Sequence, residues 1–208
     1  MKKRIGLDID DTICNTNFVL MKYALKYNKE HGNKPMLKYN TNNFGEVFGW
    51  SDEEVFNFFR TYYLEALKEI EPKFNVREVL TKLRQEGYEI VFITVRNDRE
   101  CAGEGEARRI TLEWFQKYGI PFDELYVDIH DKKAFCEENN IQIFMDDSVR
   151  TVTKVKEAGI DTFIAMNDFN LDFSDEEITN VYSMEDFYNK VHALENNMVH
   201  VLESDVAK

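Results

Sequence analysis

Positive charge is scarce in this sequence. Lysine and arginine total 26 against 39 aspartates and glutamates, a formal net charge of −13. A chain that tracks a phosphate backbone carries a basic face, so this balance argues against a nucleic-acid polymer as partner. It does not argue against a small anion, because one metal and one lysine make a locally positive site on an acidic protein. Cysteine is also rare: Cys14, Cys101 and Cys136 lie far apart, without CxxC spacing, and read as reduced thiols rather than a disulfide frame. No apolar run approaches the roughly 20 residues that span a bilayer. The opening MKKRIGLDID has basic residues but no apolar stretch behind them, so it is not a signal peptide. The expectation is a soluble, cytoplasmic chain with no membrane partner.

Hydrophobic residues make up 43% and charged residues 31% of the 208, the composition of a folded globular protein. The length suits one domain, or one domain with an insertion. It leaves the oligomeric state open, a homodimer included.

Two textures divide the chain. Arg4 to Ile9 is a short apolar run and reads as a buried strand. Asn15 to His31 reads as a helix stopped by Gly32, and Asn33 to Asn43 as a loop. Ser51 and Glu54 have the spacing of a capping box that opens a second helix, running to about Ile70 and closed by Pro72. Phe44, Phe48 and Trp50 fall in a loop-like stretch, NFGEVFGW. Beyond Pro72, strands and helices alternate. Strands are predicted at Tyr88 to Thr94, Leu125 to Val127, Ile141 to Met145 and Asp161 to Met166; helices at Val76 to Gln85, Glu104 to Tyr118, Lys132 to Glu138 and Ser148 to Ala158. Alternation of this kind calls for a parallel sheet covered on both faces. The acids Asp172, Asp175, Glu176 and Glu177 read as a polar loop, Met184 to Asn196 as a surface helix, and the residues after Asn196 as a frayed end. The predicted fold is α/β: a Rossmann-like parallel sheet with helices on both faces, formed by 1–13 and 73–208, plus a small all-helical insertion, 14–72.

Carboxylates stand where predicted strands end. Asp8 and Asp10, in DIDDT, come at the end of the first; Asp146-Asp147 ends another, Thr94 a third, and Lys132 lies a short helix before the Asp146 strand. Ligands of open parallel sheets bind at that end. Two residues apart, Asp8 and Asp10 would share a face of a regular strand. Clustered carboxylates repel unless a cation sits among them, and hard oxygen donors select Mg²⁺. One DxD alone is more readily an acidic turn. Acids at two strand ends, a hydroxyl at a third and a lysine nearby are the parts that phosphoryl transfer needs.

These four features resemble, in order, the motifs of the haloacid dehalogenase superfamily of phosphatases: DIDDT for DxDxT, Thr94 in FITVR, Lys132, and Asp146-Asp147 in IFMDDS. The resemblance implies Asp8 as nucleophile and metal ligand. Asp10 would be the acid–base residue, its main-chain carbonyl a further metal ligand. Thr94 and Lys132 would hold the phosphoryl group, with Lys133 competing for the lysine role. Asp147 would be the direct ligand of Mg²⁺, and Asp146 would stand behind it or orient Lys132. Asp10 favours ester hydrolysis over dehalogenation. In position the insertion resembles a C1-type cap. Its size and the motif style resemble the 5′(3′)-deoxyribonucleotidase branch and its bacterial relatives, which implies a small phosphorylated metabolite, a nucleotide first, as partner; a sugar phosphate is the alternative, and a non-catalytic binding protein the second. Arg96 is read either as a substrate contact or as a surface ion pair. Phe44, Phe48 and Trp50 are read as substrate contacts or as core; the aromatics from Phe56 to Tyr63 as core.

Overall fold

The structure is a computed structural model and describes residues 3–101 and 103–194. Five strands match those predicted, four of them shorter than the apolar run and β3 shifted by one residue: β1 (Arg4–Leu7), β2 (Glu89–Ile93), β3 (Glu124–Tyr126), β4 (Ile143–Asp146) and β5 (Asp161–Ala165). A sixth, β6 (Ile178–Val181), follows the acids read as a polar loop and was not predicted. Four residues beside a run of acids leave little period-2 signal, and only Ile178 and Val181 are buried.

All pairings are parallel, in the order β3-β2-β1-β4-β5-β6. Alternate residues face opposite layers. Leu7, Phe92 and Met145 pack on one face with Leu83, Phe115 and Phe187. Val91, Ile93 and Phe144 pack on the other with Cys136 and Val155. The first face is covered by α4 (Val76–Gln85), α5 (Glu106–Tyr118) and α8, a helix over 184–194; the second by α6 (Lys132–Glu138) and α7 (Val149–Lys156). Gly6 on β1 permits the close approach of that second layer: a Cβ there would lie 3.0 Å from both Ile141 and Ile93 side-chain atoms. The surface helix expected from Met184 onward forms as α8 and turns one face to the core. Met184, Phe187 and Val191 are buried, and Phe187 meets Phe163 edge-on at 5.3 Å. The positions beyond 194, including the end read as frayed, lie outside the described residues.

Between β1 and α4 the chain is helical: α1 (Thr16–Glu30), α2 (Phe44–Phe48) and α3 (Asp52–Glu69). The capping box of α3 forms as read, Ser51 Oγ accepting from the Glu54 amide at 3.3 Å and Glu54 Oε2 from the Ser51 amide at 2.8 Å. The loop-like stretch folds into α2. Asn43 Oδ1 accepts the amides of Gly45 and Glu46, and Gly49 ends the turn at φ 62, a conformation that costs glycine nothing. This turns Phe44, Phe48 and Trp50 inward, 2%, 1% and 7% exposed, and corrects their reading as substrate contacts. Phe48 stacks on Trp50 at 4.7 Å, Phe44 meets Phe58 at 5.1 Å, and Trp50 Nε1 donates to Asn28. In this small helical unit aromatic pairs supply both buried area and orientation.

The two strands of chain that join the insertion to the sheet run side by side. Cys14 and Pro72 form an antiparallel bridge, the Lys73 amide donates to the Ile13 carbonyl at 2.8 Å, and Lys73 Nζ donates to the Asp11 carbonyl at 2.6 Å.

Candidate active site

The sheet order reverses between β1 and β4, and a crevice opens at the carboxyl end of strands at such a switch point. Asp8 comes directly after β1 there, its amide bonded to the Met145 carbonyl at 2.9 Å. One carboxylate oxygen each from Asp8, Asp146 and Asp147 lie within 4.8 Å of one another. Lys132, the first residue of α6, reaches in from the side. Its Nζ donates to Asp8 Oδ1 at 2.5 Å and to Asp146 Oδ2 at 2.7 Å. Lys133 instead pairs with Glu157 at the surface, so Lys132 is the lysine of this cluster. Both oxygens of Asp146 are engaged, the second by the Ser148 amide at 2.8 Å, and so are both of Asp8, Oδ2 by the Thr12 hydroxyl at 3.2 Å, which leaves Asp147 the freest of the three carboxylates.

Three carboxylates against one ammonium leave a double negative charge when all are ionised. Burial and this imbalance together shift the group's protonation. Burial, only partly offset by Lys132, and the neighbouring Asp146 push the Asp8 carboxyl up to about 7. Burial, then Asp146 and Asp8, hold Asp147 well above the usual carboxylate range. Lys132 moves upward, because its two carboxylates outweigh the burial that would lower it. A hard divalent cation matches both the charge and the oxygen donors.

Asp10 is placed differently from the expectation. β1 ends at Leu7, so the period of two is lost, and the Asp10 carboxylate is not in the three-acid cluster. It accepts both arms of Arg96, Nε at 2.8 Å and Nη2 at 2.7 Å, and the Thr16 hydroxyl at 2.5 Å. Burial alone would raise Asp10; the Arg96 charge and these hydrogen bonds outweigh it and hold the carboxyl below its usual range. Arg96 is thereby corrected on both readings. It is 2% exposed, so it is neither a surface ion pair nor a guanidinium open to substrate. It also ties the Asp10 turn to Thr94, whose Oγ1 accepts from the Arg96 amide at 3.2 Å at the end of β2.

Several residues of the site gave no sign in the sequence. Asn167 Nδ2 donates to Asp147 Oδ2 at 3.2 Å, and Asn170 Nδ2 to the Asp147 carbonyl at 2.9 Å, so the loop after β5 braces that acid. Lys73 holds the turn after Asp10, where Asp11 adopts φ 57 and its side chain accepts the Asn17 amide. Burial pushes Asp11 up to about 6. Asparagines after a strand and a lysine in a linker carry no signal without the fold. His130 stands exposed beside Asp128, and burial pushes the Cys14 thiol up, which suits neither to nucleophilic chemistry.

No family model and no curated protein matches the chain. Solved structures do. A haloacid dehalogenase-like hydrolase from Streptococcus pneumoniae superposes with a TM-score of 0.64 at 13% identity, over 91% of this chain and 98% of that one. A predicted phosphoglycolate phosphatase from Haemophilus somnus gives 0.64 at 17%, over 91% and 98%. A predicted phosphatase from Clostridium acetobutylicum gives 0.64 at 15%, over 93% and 99%. The fold is that of the haloacid dehalogenase-like hydrolases, as the motifs implied. Among the described residues no helix is long and apolar enough to cross a membrane.

Proposed function

We propose that this chain is a Mg²⁺-dependent phosphomonoester hydrolase that works through a phosphate carried on Asp8, with nucleoside 5′-monophosphates, deoxyribonucleotides among them, as substrates. The observation that carries the reaction class is Asp8 itself: a buried carboxylate at a sheet switch point, held by Lys132 and crowded by Asp146 and Asp147. Asp8 and Asp147, with the Asp10 carbonyl, would hold Mg²⁺, which neutralises negative charge on the phosphoryl oxygens when bound.

Asp8 Oδ attacks phosphorus as the ester P–O bond breaks, and the departing oxygen takes a proton from the Asp10 side. Water then attacks the aspartyl phosphate, Asp10 accepts its proton, and phosphate leaves with Asp8 restored. Lys132 and Thr94 stabilise the transferred group. The two roles of Asp10 ask for opposite protonation states. Its pairing with Arg96 favours the ionised, base form, so the proton-donating step requires Asp10 to loosen from Arg96. The helical insertion serves as the cap that selects the leaving group and keeps bulk water from the acyl phosphate.

A phosphatase panel tests this. Turnover of an aryl phosphate with Mg²⁺, abolished by EDTA and by Asp8→Asn, is expected. Retention of full turnover by Asp8→Asn would sink the covalent route. Sugar phosphates turned over faster than mononucleotides would replace the nucleotide reading, and no turnover of any ester would leave a binding protein.

A further inference from the structure

Twelve aromatic residues lie between positions 14 and 72. Nine of them touch another ring, and Phe56 carries the Arg99 guanidinium at 4.6 Å. Phe18 and Tyr39 alone have neither a ring nor a cation partner among the described residues, and they are 83% and 75% exposed. Both line one recess of about 460 Å³, with Phe169 on the wall opposite the insertion. The recess is continuous with the acid cluster: Asp11 and Asn167 line it too, and Asn167 donates to Asp147. Asn15 and Asn17 add side-chain amides, groups that both donate and accept.

We infer that this recess receives a planar ring of the substrate's leaving group, stacked against Phe18 and Tyr39 and read at its polar edge by Asn15 and Asn17. The inference rests on the hydrolase reading and specifies the leaving group. An exposed aromatic face beside a phosphate site favours any flat π-system and offers little to an acyclic polyol. A second recess, near Phe56 and Asn97, is lined by Asp52, Asp98, Glu100 and Asp128 with Arg99 and His130, and among the described residues none of those lining it bonds to Asp8, Asp146 or Asp147.

A nucleoside 5′-monophosphate and ribose 5-phosphate differ by the ring alone, so their ratio of kcat/KM reads the recess. Phe18→Ala and Tyr39→Ala should each lower that ratio by about 5-fold or more, and Phe18→Trp should restore it. Both side chains are exposed, so truncation spares the core. Phe74→Ala, at an exposed phenylalanine outside the recess, should leave the ratio where it was. Should no ester be turned over, the hydrolase reading fails, and calorimetric binding of the same two ligands with Mg²⁺ reads the recess independently. Equal ratios in wild type and Phe18→Ala would overturn the inference. So would a change from dimer to monomer in Phe18→Ala, by sedimentation, with an unaltered ratio, which would make the recess an interface between copies.

Discussion

The two halves of the site differ in how completely their charge is balanced. On the β2 side, one guanidinium meets one carboxylate: Arg96 grips Asp10 with two nitrogens, and Thr16 completes the set. On the β4 side, one ammonium serves three carboxylates. The first half is a finished ion pair that fixes a turn. The second is under-neutralised and pushes Asp8 and Asp147 upward. A balanced and an unbalanced charge cluster stand side by side, separated by one residue; in the proposed reaction the balanced pair opens before Asp10 gives its proton, whereas the unbalanced one calls for a cation.

The largest test of this contrast is chemical. Asp8→Asn should lower kcat at least about 10³-fold, and Lys132→Met about 10²- to 10³-fold, measured on an aryl phosphate with Mg²⁺. A near-wild-type Lys132→Met would erase the difference between the halves.

Next comes stability. Arg96→Met leaves the partly buried Asp10 without its cation and should cost about 1.5–3 kcal/mol in urea unfolding. The opposite sign is expected across the site. In the folded, metal-free chain the Asp8 carboxyl keeps its proton up to about 7, whereas the unfolded chain releases it near the ordinary 3.8. Stability contributed by this group therefore falls as pH rises from about 4 to 7, and above 7 the full penalty is in place. Asp8→Asn should then be more stable than wild type by roughly 1–3 kcal/mol at pH 8 and no more stable at pH 4. Equal effects at both pH values would contradict the under-neutralised state.

A smaller shift is expected from the cation itself. Saturating Mg²⁺ should raise the wild-type Tm by roughly 3–8 °C, and Asp147→Asn should lose most of that gain. The gain should shrink as pH falls through about 7, where protons compete for Asp8. Smallest of all, Lys133→Ala breaks only an exposed pair with Glu157 and should change stability by less than about 1 kcal/mol, with turnover intact.

The sheet was legible because parallel strands buried on both faces leave continuous apolar runs, and the strand-end residues Asp8, Asp146 and Asp147 could be named from those runs, with Lys132 from the short helix before the Asp146 strand. Local chemistry was legible too: the capping box at Ser51 and Glu54 formed as read. What failed were statements about direction. Nothing in NFGEVFGW says that Asn43 will cap a short helix and turn Phe44, Phe48 and Trp50 inward, nor does DIDDT say that Asp10 will turn to Arg96, 86 residues away. Asn167 and Lys73 enter the site through a loop and a linker, where no periodicity marks a side chain's target. β6 was too short and too polar at its flanks to register.

The stitched root of the insertion has a mechanical meaning. Asp11 is hooked twice, to α1 through the Asn17 amide and to the returning linker through Lys73, in a left-handed backbone next to Asp10. A swing of the three helices as one body pivots on that spot and levers the neighbouring residue with it. On the proposed mechanism, closing of the helices over a leaving group and loosening of Asp10 from Arg96 would then be one movement.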